Sequence, residues 1–379
     1  MRNRFFSMMA IGAVAAMSGV ASPASAQAQT ERVATFTGAM PTGVTVAPNG
    51  RIFVNFPQWG DTSPYAVGEL KNGKVTPYPD AAFNTPDAAD ALHHLISVQS
   101  VVADGRNRLW ILDTGAPGFQ TPVPGGAKLV AVDLATDKVV QTIALGSEVV
   151  LPTTYVNDVR FDLRQGKAGV AYITDSSIKG PGGIIVVDLA TGTAMRRLSG
   201  HATTMPDPGF VPVLEGKPLM NRPKGGKPSP WLVASDGIAI SADGATLYYC
   251  ALSSRHLYAV PTALLRDPGV DDAEVARHIR DLGLKGASDG LAEDDQGRIY
   301  AGDYEHDAIR RYANGQWQTI AQDPRILWPD TFSVGSDGYL YFIANQLHRQ
   351  APFHKGRDER KQPYALLRIK IDAGPVLLK

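Results

Sequence analysis

The chain has 379 residues, with 37 Lys and Arg against 37 Asp and Glu, a balance that excludes a basic surface for nucleic acid or for an anionic membrane. Its single cysteine, Cys250, excludes an internal disulfide, and 38 Gly with 27 Pro point to many short strands and turns. The first segment, residues 1–26, reads as an export leader. Arg2 and Arg4 open it, Phe5 to Ala21 is apolar, and Ala24-Ser25-Ala26 offers a small-residue cleavage site before Gln27. Cleavage removes two basic residues and no acidic one, leaving a mature chain of slightly negative charge. No later stretch reaches membrane-spanning length. The expectation is a soluble periplasmic or secreted monomer with no membrane attachment after processing and no nucleic-acid partner.

From there the chain repeats one motif six times: "TGVTVAPNGRIFVNF", "QSVVADGRNRLWILD", "DVRFDLRQGKAGVAYITD", "DGIAISADGATLYYC", "DGLAEDDQGRIYAGD" and "DTFSVGSDGYLYFIAN". Each is an alternating strand, a tight polar turn and a second alternating strand. The turns end at Gly50, Asn107, Gly166, Gly244, Gly297 and Gly338, residue types that accept positive φ. The second strands carry Phe53, Trp110, Tyr172, Tyr248, Tyr300 and Tyr341 in matching places. Third strands follow ("KLVAVDL", "GIIVVDL", "RHLYAVP", "AIRRYA", "LLRIKI"), then fourth strands ("VVQTIAL", "AMRRLSG", "ARHIRDLG", "QWQTIAQ"). Only the sixth unit lacks a fourth strand, and "ERVATFTG", Glu31 to Gly38, resembles one. The pattern predicts an all-β, six-bladed β-propeller with four antiparallel strands per blade, closed by the N-terminal strand, as one domain over residues 27–379. Cys250, inside "TLYYCAL", reads as a buried small hydrophobe.

Eight residues upstream of each turn residue stand Thr42, Gln99, Asp158, Asp236, Asp289 and Asp330, all polar, with Asn157 beside Asp158. In a propeller these positions open the innermost strands and encircle one mouth of the channel. Four carboxylates there repel unless a cation, shared protons or a ligand neutralises them. The competing reading is that each Asp caps its own turn. The long connections, Pro57 to Ala66, Asp80 to Ser97, Thr114 to Ala127, His201 to Leu232 and Asn345 to Tyr364, open on the same face. His201 to Leu232, with Phe210 and Trp231, reads either as a lid or as a plain insertion. His93, His94, His348 and His354 lack metal-ligand spacing and read as exposed or capping residues. Nucleotide-loop, zinc-protease and serine-hydrolase signatures are missing, and no organic cofactor is expected. An oxygen-rich pocket for a hard cation or a small polar molecule is what the pattern leaves.

The blocks "LWILDTG", "YVNDVRFD", "AYITDSS", "SDGIAISADGATLYYCALSSRHLYAV", "KGASDGLAEDDQGRIYAGDYEHDAIRRY" and "ILWPDTFSVGSDGYLYFIAN" resemble the yellow/major royal jelly protein family. The resemblance implies a six-bladed propeller whose central pocket binds small aromatic amines or converts dopachrome. A more distant similarity, to the calcium-dependent gluconolactonase/regucalcin group, implies a divalent cation such as calcium held by Asn157, Asp236 and Asp289. There Asp289 matches the group's metal-binding Asp, and Asp236 stands where an Asn is expected. Asn157 and Asp158 fit a substrate-facing position, and Thr42 replaces the first-blade Glu. Three functions are open: an enzyme acting on a small cyclic oxygen-bearing molecule, either a lactonase-like hydrolase or a dopachrome-type isomerase, with Asp289 as base and Thr42, Gln99, Asn157, Asp158 and Asp330 contacting the ligand; a non-catalytic binder of a small aromatic or amine ligand; or a protein-interaction propeller.

Overall fold

The computed structural model describes Met1 and residues 27–379, so the rest of the expected leader lies outside the described residues. Six four-stranded antiparallel sheets stand around one axis. Their innermost strands are Gly43–Val46, Val98–Ala103, Val156–Asp162, Ser235–Ile240, Leu291–Glu293 and Pro329–Val334. The sixth blade is completed from the other end of the chain. Glu31–Phe36 pairs antiparallel with Tyr364–Lys370, in register from Glu31 opposite Arg368 to Phe36 opposite Tyr364. The ring is thus closed as the sequence predicts, and the strand Tyr364–Lys370 is paired on both sides. Among the described residues no helix is long and apolar enough to cross a membrane.

The tight turns hold the blades to one pattern. All six expected turn residues have positive φ, between 60° and 83°. Five of the six matched aromatics are buried between blades, and Trp110 stacks on Phe161 of the next blade at 5.0 Å. Each such side chain contributes about 1.5–3 kcal/mol by leaving water. Blade four departs from the pattern: Tyr248 is only half-buried, at the rim of the contact with blade five, while its neighbour Tyr249 is fully buried. The expected fourth strand "ARHIRDLG" is also corrected. Its first residues finish a short helix, Asp272–Arg277, started by the Asp271 carboxylate accepting from Glu274 N at 2.8 Å, and the strand is Arg280–Leu284. Blade one adds Val67–Lys71 and Lys74–Pro77, strands that the repeat alignment does not single out.

Past the last strand, the C-terminal tail crosses the tight-turn end of the channel. Asp294 bridges to Pro375, Asp295 N donates to Gly374 O at 3.0 Å and Leu163 N to Leu378 O at 2.7 Å. Val376 to Leu378 line the lower channel. The tail therefore occupies one mouth, while the long loops gather at the other.

Candidate functional site

At the loop-bearing mouth, the first residues of successive inner strands meet. Asn157, Asp236 and Asp289 line one pocket together with Gln99 and Ser176. Asn157 Nδ2 donates to Asp236 Oδ2 at 2.5 Å and to Ser176 Oγ at 2.7 Å, and Ser176 Oγ lies 2.9 Å from the same Asp236 oxygen. Asp236 and Asp289 lie close enough to share a hydrogen bond, which requires a proton on one of them. Trp328 Nε1 donates to Asp289 Oδ2 at 2.8 Å. The walls are aromatic. Trp59 Nε1 donates to Tyr155 Oη at 2.8 Å, which donates to Gln99 Oε1 at 3.0 Å, and Phe119 stacks on Tyr155 at 4.1 Å. Trp231 closes the opposite side, packed on Trp328 and Phe353. Trp231 is the residue of the segment from His201 to Leu232 that lines this pocket. Phe119 and Trp328 both hold left-handed backbone, φ 59° and 55°, a strained state for bulky residues that the surrounding packing must maintain.

Three of the expected residues stand aside from the pocket wall. Thr42 is fully buried, its Oγ1 accepting from Asn55 Nδ2 at 3.0 Å. Asp330 accepts from Asn345 Nδ2 at 2.6 Å. Asp158 lies one residue further along its strand, accepting from Ser100 Oγ at 2.7 Å and paired with Arg160 at 2.9 Å. Strand register explains this last placement. Val98 opposite Asp113 and Val156 opposite Asp175 are equivalent pairs, so the residue matching Gln99 is Asn157. Tyr155, Trp59, Phe119, Ser176 and Trp328 belong to the site without a signal in the repeat pattern. Trp59 and Phe119 are traceable only as aromatic residues in long connections, and Tyr155, Ser176 and Trp328 stand just outside the repeated strands. Of the histidines, His93 is exposed, His94 is half-buried with Nδ1 2.7 Å from Thr85 O, and His354 Nε2 meets His348 O in its own loop, but His348 is buried against Trp328. The reading of His348 as exposed or capping is therefore wrong, because Trp328 and the following loop cover it.

The electrostatics follow from burial. Among the described residues, Asp236, Asp289 and Asp330 have no cation within ion-pair distance. Burial raises the Asp236 carboxyl well above the ordinary range, and the Asp289 charge raises it further. Burial pushes Asp289 up to about 6, moderated by the hydrogen bonds from Asp236 and Trp328. Asp330 is raised by burial and by the charge of Asp289. Of the two, Asp236 therefore holds a proton more strongly and Asp289 ionises first.

A divalent cation does not fit these side chains as they stand. Among the described residues no three Asp, Glu, His or Cys side chains group closely enough to hold one. Calcium takes six to eight oxygens. Here Asn157 turns its amide nitrogen toward Asp236, and Asp236 Oδ2 and Asp289 Oδ2 already accept N–H bonds.

A second buried acid lies in the lower channel. Glu293 is 7% exposed, its Oε2 has no hydrogen-bond partner, and burial pushes it up to about 8. The unfolded chain ionises this group near 4.5, so between that pH and about 8 the folded state holds the extra proton and stability falls as pH rises. Glu293→Gln should therefore melt a few degrees above the parent at pH 9 and with it at pH 4. Equal melting curves at pH 9 would show that Glu293 ionises freely in the fold.

Fold and site together define a six-bladed propeller with an aromatic-walled, carboxylate-floored pocket open at one mouth. The chain belongs to the major royal jelly protein family, whose sequence profile matches residues 96–373. Protein yellow of Drosophila subobscura is 30% identical over 250 residues, a match covering 61% of this chain and 40% of the fly protein. Protein yellow of Drosophila melanogaster is 28% identical over 246 residues, 60% of this chain and 42% of that one. The chain thus matches less than half the length of these relatives. Two solved structures share the fold. A luciferin-regenerating enzyme has TM-score 0.54 and 13% identity, covering 93% of this chain and 99% of its own. The calcium-binding protein regucalcin from Agrobacterium tumefaciens has TM-score 0.51 and 16% identity, covering 91% and 98%.

Proposed function

We propose that the exported protein takes a small ring-bearing molecule into the central pocket and that Asp236 and Asp289 move a proton on it, an isomerase-type acid–base reaction. The observation that carries this reading is the hydrogen-bonded carboxyl pair with unequal proton affinities under aromatic walls. Asp289, ionised near neutrality, accepts a proton from the substrate. Asp236 supplies one to another atom of the same molecule, so the product is an isomer and no co-reactant is consumed. Trp328 holds Asp289 in place, while Asn157 and Ser176 orient Asp236. Trp59, Phe119, Tyr155 and Trp231 stack on the ring and exclude water.

A second reading, capture without turnover, is favoured by the same walls. Buried carboxylates without cationic partners, faced by aromatic rings, suit a protonated arylalkylamine. The deciding experiment offers the purified protein a dopachrome-type aminochrome, an aldonolactone and a phenethylamine, each with and without EDTA. Aminochrome conversion that persists in EDTA and is inhibited by the amine is expected. Saturable amine binding with no conversion would leave capture. Lactone hydrolysis that EDTA abolishes and calcium restores would overturn both in favour of a lactonase.

A further inference from the structure

Away from the central pocket, the segment from His201 to Leu232 folds as two small hairpins, Val213–Leu214 with Lys217–Pro218 and Met220–Asn221 with Ser229–Pro230. They are tied to the loop after blade six by Arg222 N donating to Pro352 O at 2.8 Å and Lys355 N to Arg222 O at 2.9 Å. Between hairpins and loop lies a cavity of about 340 Å³, large enough for a compact organic molecule. Leu214, Leu219 and Phe353 form its apolar floor, all buried. His348 lines it, 4% exposed, and neither of its ring nitrogens has a hydrogen-bond partner. Its Nε2 stands 3.5 Å from Glu215 Oε2, too far for a well-made bond. A buried polar group left in this state is costly to the fold, and a ligand accepting or donating there would recover that cost.

The charges around the opening are unequal. Glu215 is engaged by Arg349, and Glu359 by Arg357 and His354. Lys217, Arg222 and Lys355 also line the cavity, and among the described residues none of them makes an ion pair. We propose that this cavity is a second binding site, for a small organic carboxylate whose apolar part rests on Leu214, Leu219 and Phe353 while its carboxylate meets Lys217, Arg222 and Lys355 and reaches His348. Burial holds the imidazole down to about 4, so at neutral pH it presents one N–H donor without adding a charge to be desolvated.

Calorimetric titration of the intact protein with benzoate tests this, with acetate as the ligand lacking an apolar part. Saturable one-to-one benzoate binding, tighter than acetate by about 10-fold or more, is expected. The double substitution Lys217→Ala with Lys355→Ala, both exposed and so harmless to folding, should weaken benzoate by about 10-fold. His348→Phe, which keeps a ring stacked on Trp328, should weaken it comparably. Asp289→Asn should leave benzoate binding intact, which separates this site from the central pocket. No saturable heat, or binding untouched by the lysine substitutions but lost in Asp289→Asn, would overturn the assignment.

Discussion

Asp289→Asn should lower turnover, or ligand affinity if the pocket only captures, by about 100-fold or more, and should melt above the parent at pH 7.5. The loss follows from removing the ionised partner of the pair, since a positioned base contributes roughly 100- to 10,000-fold. The gain in stability follows from the same burial that tunes the group. Asp289 is 6% exposed, has no ion-paired cation among the described residues, shares the floor with Asp236, and feels the charge of its neighbours as Asp236 and Asp330 feel its own. Its affinity for protons rises from an ordinary 3.8 to about 6 on folding. The folded state therefore resists ionisation, and the cost is absent below pH 4, grows between 4 and 6, and is complete above 6. The amide has no charge to bury, so its advantage should follow that window. An amide oxygen still accepts from Trp328 Nε1, whereas Asp289→Ala strands that indole N–H in a fully buried place at about 1–3 kcal/mol. Parent activity should likewise rise with pH through about 6 as the base ionises. An Asn variant that keeps full activity, or one that melts lower at pH 7.5, would remove Asp289 from the centre of the mechanism.

The ring was legible because a propeller blade is a local object. Each tight hairpin needs a positive-φ residue and each inter-blade contact an aromatic, and both recur at fixed spacing from Gly50 to Gly338. The site was legible to the extent that it shares this periodicity. Gln99, Asp236 and Asp289 fall where the count from the turn places them. In blade three the turn residue stands as far past the last strand pair as in blade two, but the inner strand Val156–Asp162 has 7 residues against 6 in Val98–Ala103, so the count lands on Asp158 instead of Asn157. Periodicity is also silent on what a neighbouring strand offers. Thr42 and Asp330 are occupied by Asn55 and Asn345, partners that only cross-strand register brings near. The aromatic walls come from loops, which carry no period at all, and His348 looks exposed in sequence because Trp328, which covers it, lies a strand pair earlier.

The opposite kind of residue is Asp113, in "LWILDTG", an acid that looks as functional as any in the ring and whose structural role predicts a large loss of stability. Both it and Lys128 are fully buried, paired at 2.7 Å across adjacent strands of blade two. Its oxygens also accept from Ile96 N at 2.7 Å, Ser97 N at 2.9 Å and Gly115 N at 2.9 Å, which anchors the long connection entering the blade just before Gln99. Asp113→Ala leaves a buried ammonium without its counter-charge and three backbone N–H groups without acceptors. The loss should be about 3–5 kcal/mol or more, lowering the melting temperature by roughly 10 °C or more. Charge and hydrogen bonding separate in the double variant Asp113→Asn with Lys128→Met. It removes both charges and keeps an oxygen for Ser97 N and Gly115 N, so more than half of the lost stability should return. Melting curves and denaturant titrations of the three proteins measure this directly. If Asp113→Ala melts within a degree or two of the parent while the pocket loses its ligand, Asp113 acts on the site and not on the blade.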